Sequence, residues 1–216
     1  MQLTHSLLPN RFHPRRAAIS IDCEMVAVTG AWREVVHLSA VDYLTNEVLI
    51  DTLVAPTMEV TDWGTGITGV DASIMSSAIS SGTALHGYAA ARDELFKHLD
   101  ADTVLIGQSL QFDLEVLGLC HLRIVDSEML STSAINFPDS RRRGLKELCR
   151  VLIGLDIQGG SHSALEDARA AREVVMWMCG NAEALQEWGK EERVAEENRR
   201  ALMAERRRGM GRPGRI

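Results

Sequence analysis

The run AISIDCEMVAV, residues 17–27, is apolar and β-prone except at Asp22 and Glu24. Side chains alternate along a strand, so two acids separated by Cys23 leave the same face. Packing two like charges side by side away from water is costly. Either this strand is an edge whose acids meet solvent, or the fold brings positive charge to the pair. The choice turns on the other acids of the chain.

The pattern around this strand defines an α/β chain. Residues 34–44 and 47–54 are β-rich, and the Thr45–Asn46 pair between them suits a tight turn, so three neighbouring antiparallel strands are expected. Asp71 is placed to cap a short helix over 72–79, and Thr83 a longer one over 83–100. The wholly apolar run 103–108 reads as a strand buried on both faces, and 122–126 repeats that pattern. Helices are expected at 110–117, 144–154 and 163–180, the last closing at Gly180. Three antiparallel strands followed by alternating strands and helices make a mixed sheet flanked by helices. The expected organisation is an irregular arm over 1–16, one domain over 17–180 and a tail over 181–216. That tail reads as a solvated charged helix followed by a basic, disordered end.

Further acids stand at telling places. Asp113 follows the buried strand at 103–108, and the segment GGSHSALEDARAA sets His162 at a helix entrance with Asp167 inside the first turn. His162 and Asp167, five residues apart, do not share a helix face. They converge if His162 folds back from the loop, and Gly159–Gly160 supplies the freedom for that. Asp22, Glu24, Asp113 and Asp167 could thus surround two divalent cations. Hard oxygen donors without a Cys/His set favour Mg²⁺ or Mn²⁺. Such ions clamp the oxygens of a phosphodiester, and a neutral imidazole nearby accepts a proton from water.

The motifs IDCEMV, the mid-chain Asp113 and HSALEDA resemble the DEDD exonuclease superfamily in its His-containing branch, within the eukaryotic RNA exonuclease group. The resemblance runs from about Ala17 to Trp177. It implies a ribonuclease-H-like fold and hydrolysis of single-stranded RNA from the 3′ end to nucleoside 5′-monophosphates. It implies that Asp22 bridges two metals, that Glu24 and Asp167 bind the metal beside the nucleophile, and that Asp113 serves the other. His162 matches the general base and Met25 a contact to the terminal nucleotide. Thr65 and Thr68 fall in VTDWGTGITGV, which resembles a segment lining the substrate cleft. The chain departs from the family there, with Gly64 and Gly66 where basic residues usually flank the Thr. It departs again at Gln108 and Phe112, where His and Asn are usual.

Other residues carry plainer expectations. Arg141, Arg142 and Arg143, with Lys146 and Arg150, are the dense basic cluster of the body, and Arg143 is the expected contact to substrate phosphates. His37, His98 and His121 lack acidic partners at telling spacings. Glu115 and Glu166 should point away from the site, while Asp126 could reach it.

Net charge is −7, but residues 181–216 carry nine basic and seven acidic residues against fourteen and twenty-three before them. An acidic body argues against coating nucleic acid by bulk charge, not against a nuclease with carboxylate-held metals. No apolar run reaches the ~18 residues of a membrane span. The four cysteines are far apart without a CxxC pair, which suits free thiols inside a cell. Arg206–Arg208, Arg212 and Arg215 tilt the expected location to the nucleus. Two alternatives stay open: a single-stranded DNA exonuclease, and a nucleic-acid-binding adaptor with a weakened nuclease site.

Overall fold

The structure is a computed structural model, and it describes residues 3–7, 16–30 and 32–210. In chain order the elements are β1 (Thr4–His5), β2 (Ala18–Val28), β3 (Trp32–Asp42), β4 (Val48–Ala55), β5 (Val60–Asp62), α1 (Thr65–Thr68), α2 (Ala72–Ser80), β6 (Leu85–His86) and α3 (Gly87–Leu95). They continue with β7 (Val104–Gly107), α4 (Gln111–Val116), β8 (Leu119–Cys120), β9 (Ile124–Asp126), α5 (Ser127–Ile135), α6 (Leu145–Leu148), α7 (Ala164–Gly180) and α8 (Ala182–Met210). A π-helical turn, Cys149–Ile153, follows α6. The main sheet runs β6-β4-β3-β2-β7-β9, with β5 also on β2. β2, β3 and β4 are antiparallel neighbours, while β7 and β9 run parallel to β2. The mixed sheet read from the sequence is the one observed.

β2 is the spine of this sheet. Ile19, Ile21 and Cys23 join Leu38, Leu95, Leu105 and Leu117 in a core under α3 and α4. The opposite face of the sheet is covered by α7. Ala164, Ala168 and Ala171 are buried along α7, and Ser20 on β2 donates to the Ala168 carbonyl at 2.8 Å. Small side chains on both elements allow this close approach. Ser163 caps α7 by accepting from the Glu166 N–H. The β3–β4 turn is held by Asp42, whose Oδ1 accepts from the Leu44 and Thr45 N–H groups at 2.9 Å each. Asn46 takes the left-handed conformation that the turn requires, φ 61°.

Several expectations need correction. Part of the N-terminal arm is ordered: Thr4–His5 pair with Leu119–Cys120. Residues 1–2 and 8–15 lie outside the described residues. The helix expected from Thr83 starts at Gly87, because Leu85–His86 first pair with β4 and Gly87 turns the chain at φ +71°. Asp71 caps α2 as expected, accepting from the Ile74 N–H. The 144–154 helix breaks into α6 and the π-helical turn, ending at Gly154 in the left-handed region. Helix α5 was not foreseen; Asp126 caps it by accepting from the Glu128 and Met129 N–H groups.

The tail also differs. α8 continues to Met210, into the basic stretch 205–216 expected to be disordered, and the remainder of that stretch, 211–216, lies outside the described residues. It is a packed strut, with Leu185 and Glu196 buried. Arg193 Nε donates to the Ile135 carbonyl at the end of α5 at 2.9 Å. Arg143 is 1 % exposed and pairs with Glu192 of α8, so it ties the 136–144 loop to the strut and is not a phosphate contact. Three other members of the basic cluster are also engaged: Arg141 pairs with Glu147, Arg142 with Glu128, and Lys146 Nζ donates to the Gln158 carbonyl. No helix among the described residues is long and apolar enough to cross a membrane.

The crossing of α5 and α8 depends on Gly189. A Cβ there would lie 2.3 Å from the Ala134 carbonyl oxygen, a backbone atom that cannot step aside. Gly189→Ala should lower stability by about 1–3 kcal/mol, the usual cost of overpacking, read as an earlier midpoint in urea denaturation. An unchanged midpoint would show that the strut is loosely held.

Candidate active site

The site occupies a gap along one edge of β2. β3 pairs with β2 from Ile19 to Val28 along one edge. On the other, β7 pairs only over Ala18–Ser20 and β5 only at Ala27–Val28. The segment 21–26, which holds Asp22 and Glu24, is therefore paired by no described strand on that side. α4 enters from the end of β7 and brings Asp113; α7 crosses the sheet and brings Asp167. Asp22 feels the charges of Asp113, Asp167 and Glu24 together, so the four carboxylates from three chain segments converge as expected.

Burial and mutual repulsion shift these acids upward. Asp22 is driven well above the usual carboxylate range, first by burial and then by Asp113, Asp167 and Glu24. Burial with the Asp167 charge raises Glu24 to about 7. Burial raises Asp113 to about 7, even though the Cys23 thiol and backbone N–H donate to it. Burial also raises Asp167, opposed by a hydrogen bond from Gln158 and the proximity of His162. Such a cluster holds its charge poorly alone and readily with cations.

The donor set fits divalent metal. Glu24 Oε1 and Asp113 Oδ1 are buried without a hydrogen-bond partner among the described residues. Buried carboxylate oxygens are normally satisfied, and a hard cation is the partner that accepts them. Donor atoms of Glu24, His162 and Asp167 lie within 4.8 Å of one another.

His162 is held from two sides. Its Nδ1 lies 3.5 Å from Asp167 Oδ2, and its backbone N–H donates to the Ile67 carbonyl at 2.6 Å. The loop fold-back allowed by Gly159–Gly160 is what the structure contains. Thr65 and Thr68, expected to contact substrate, use their hydroxyls within their own loop. Both hydroxyls donate to the Val70 carbonyl, Thr68 also to that of Trp63, and Thr68 is buried. They shape the 64–70 loop whose Ile67 carbonyl carries His162. Met25 follows Glu24 at a β-bulge and is half-buried beside the gap.

Other expectations resolve as follows. Glu115 and Glu166 are exposed, as anticipated. Asp126 stays out of the cluster; its oxygens accept from the Ser109 and Leu110 N–H groups at 3.1 and 2.7 Å, which anchors the entry to α4. His121 is structural, bridging Ser6 Oγ and the Thr103 carbonyl. His37 does have an acidic partner, Asp51 at 2.8 Å, one strand away. Gln108 donates to the Arg143 carbonyl at 2.9 Å, so it serves the strut rather than the carboxylates. Sequence reading missed Gln158, whose Nε2 donates to both Asp167 oxygens at 3.1 and 2.9 Å. Its one signal was its place just before Gly159–Gly160.

An α/β domain that gathers four acids and a histidine at a gap in its central strand belongs to the class of metal-dependent phosphodiester hydrolases. The chain is a member of the RNase T exonuclease family, whose profile matches residues 19–175. It is 33% identical over 171 residues to small RNA degrading nuclease 2 of Arabidopsis thaliana, covering 76% of this chain and 35% of that protein. It is 32% identical over 156 residues to RNA exonuclease 4 of Candida glabrata, covering 70% and 56%. The chain thus spans about a third of the length of the first of these relatives and about half of the second. The fold resembles the Pan2 pseudoubiquitin hydrolase–RNA exonuclease module of Saccharomyces cerevisiae in complex with AACCAA RNA. The TM-score is 0.71 at 19% identity, over 92% of this chain and 34% of that one.

The raised acids set a pH dependence. Glu24 and Asp113 lie near 7 in the metal-free fold against ordinary values of 4.5 and 3.8. Between those limits the folded chain holds more protons than the unfolded one, so their burden is absent below about pH 4 and complete above about pH 7. Metal-free Asp113→Asn should therefore melt higher than wild type at pH 8, with the advantage shrinking toward pH 5. Mn²⁺ should raise the wild-type melting temperature more at pH 8 than at pH 6. A metal increment independent of pH would contradict this electrostatic account.

Proposed function

We propose that this chain is a 3′–5′ exoribonuclease that trims single-stranded RNA to nucleoside 5′-monophosphates. The observation that carries the reading is the convergence of four carboxylates, three of them buried and two with unpartnered oxygens, beside His162. The names of the Arabidopsis and Candida relatives support RNA as the substrate.

Asp22, Glu24, Asp113 and Asp167 would hold two Mg²⁺ or Mn²⁺ ions. Bound there, such ions polarise the phosphodiester and stabilise charge developing on its oxygens. With His162 Nδ1 turned to Asp167, Nε2 is the atom left to take the proton of the attacking water. The water oxygen bonds to the terminal phosphorus as the bond to the 3′ oxygen of the preceding nucleotide breaks. That oxygen leaves with a proton from solvent. Gln158 keeps the Asp167 carboxylate in place, and the Ile67 carbonyl does the same for the histidine loop. We also place the protein in the nucleus, on the strength of Arg206–Arg208, Arg212 and Arg215.

A 5′-labelled single-stranded RNA and its DNA counterpart, incubated with Mn²⁺, Mg²⁺ or chelator, test the proposal. The expected result is a metal-dependent ladder shortening from the 3′ end, stronger on RNA. Asp22→Ala should cut the rate at least about 100-fold, and His162→Ala by about 10²–10⁴. Intact RNA with every metal would support a binding adaptor instead, and a ladder confined to DNA would support the DNA exonuclease.

A further inference from the structure

Helix α8 begins at Ala182, beyond the residues 19–175 shared with the exonuclease family, yet it is tied to the support of Asp113. The tie runs through the loop 136–144 between α5 and α6. Asn136 and Asp139 hold left-handed backbone there, φ 45° and 53°. α8 grips this loop at two points. Glu192 pairs with the buried Arg143. Two turns further on, Arg200 Nη2 donates to the Pro138 and Asp139 carbonyls at 2.8 and 2.6 Å, and its guanidinium lies 4.6 Å from the centre of the Phe137 ring.

The same loop grips the entry to α4, again at two points. Gln108 Nε2 donates to the Arg143 carbonyl at 2.9 Å, while Gln108 Oε1 accepts from the buried Ser127 hydroxyl at the start of α5. Arg142 Nε lies 3.1 Å from Glu128 Oε1, and the other oxygen of Glu128 accepts from the Ser109 hydroxyl. Ser109 takes the left-handed conformation, φ 57°, which a residue with a side chain keeps only where its surroundings impose it. α4 follows at Gln111 and carries Asp113 in its first turn. It has six residues, too few to hold a helix by itself, so its entry decides where Asp113 sits.

Building on the metal-site reading above, we propose that Gln108 is a positioning residue for Asp113, and that α8, acting through Arg143, sets how tightly the carboxylate cluster holds divalent cations. The Gln108 amide presents donor and acceptor side by side, and so joins Ser127 and Arg143 in one link. α8 is thereby part of the metal site's support and not an appendage to the domain.

Calorimetric Mn²⁺ titration of the full chain tests this, comparing wild type with Gln108→Met, Glu192→Gln and the double variant. Each single variant should weaken Mn²⁺ binding at least about 10-fold, the usual effect of removing an outer support of a metal ligand. The double variant should bind no worse than the weaker single, because both cut the same link. Ile50→Val, a core loss on β4 two strands from β2, should lower the melting temperature and leave Mn²⁺ affinity as it was. Unchanged affinity in the single variants, losses that multiply in the double variant, or an equal loss in Ile50→Val would overturn the proposal. Should circular dichroism show Glu192→Gln unfolded, Arg200→Ala takes its place, since it frees the Pro138 and Asp139 carbonyls of the same loop. Should wild type bind no Mn²⁺, the metal-site reading fails on its own, and hydrogen–deuterium exchange over 110–117 then decides the coupling. Faster exchange there in both Gln108→Met and Glu192→Gln would sustain it, and exchange equal to wild type in either would overturn it.

Discussion

The repulsion among Asp22, Glu24, Asp113 and Asp167 is the constraint around which this molecule is organised. Each carboxylate is displaced toward its protonated form chiefly by burial, and Asp22 and Glu24 also by other members of the cluster. Left alone, such a cluster would weaken the fold across neutral pH. The surroundings hold it together regardless. The Cys23 thiol and N–H serve Asp113, and Gln158 serves Asp167. The price is stored in a form that divalent cations release, since the same unpartnered oxygens that cost stability are ready-made ligands.

The sheet topology decides where this cluster can exist. A central strand normally has both edges paired, but β2 is left free on one side between the short pairings with β7 and β5. Through that opening, elements from both faces of the sheet meet. α7 approaches closely because Ala168 and Ser20 are small, and α4 starts where Asp126 pins the Ser109 and Leu110 N–H groups. On the far side, α8 and buried Arg143 fix the long loop after α5. The supporting parts are thus remote from the chemistry yet decide its geometry.

The sequence disclosed the parts with strong local signals. Alternation along 17–27 placed two acids on one face, Asp71 marked a helix start, and Gly159–Gly160 foretold the histidine loop. What stayed hidden depended on tertiary contacts. Arg143 looks like a phosphate binder because a run of arginines says nothing of Glu192, 49 residues away and on another helix. Thr65 and Thr68 sit in a cleft-like motif, but their hydroxyls are spent inside their own loop. α8 reads as a solvated helix because its buried contacts are few and spread along a charged surface. Leu85–His86 have helical spacing with their neighbours, and strand pairing overrides it.

The central claim is that these carboxylates form a cation site. Calorimetric titration of the metal-free chain with Mn²⁺ at pH 7, repeated in two buffers of different ionisation enthalpy, tests it most directly. Binding should be saturable and should release protons, seen as a buffer-dependent heat, because Glu24 and Asp113 begin partly protonated. Absence of binding at millimolar Mn²⁺, or binding with the same heat in both buffers, would contradict the account.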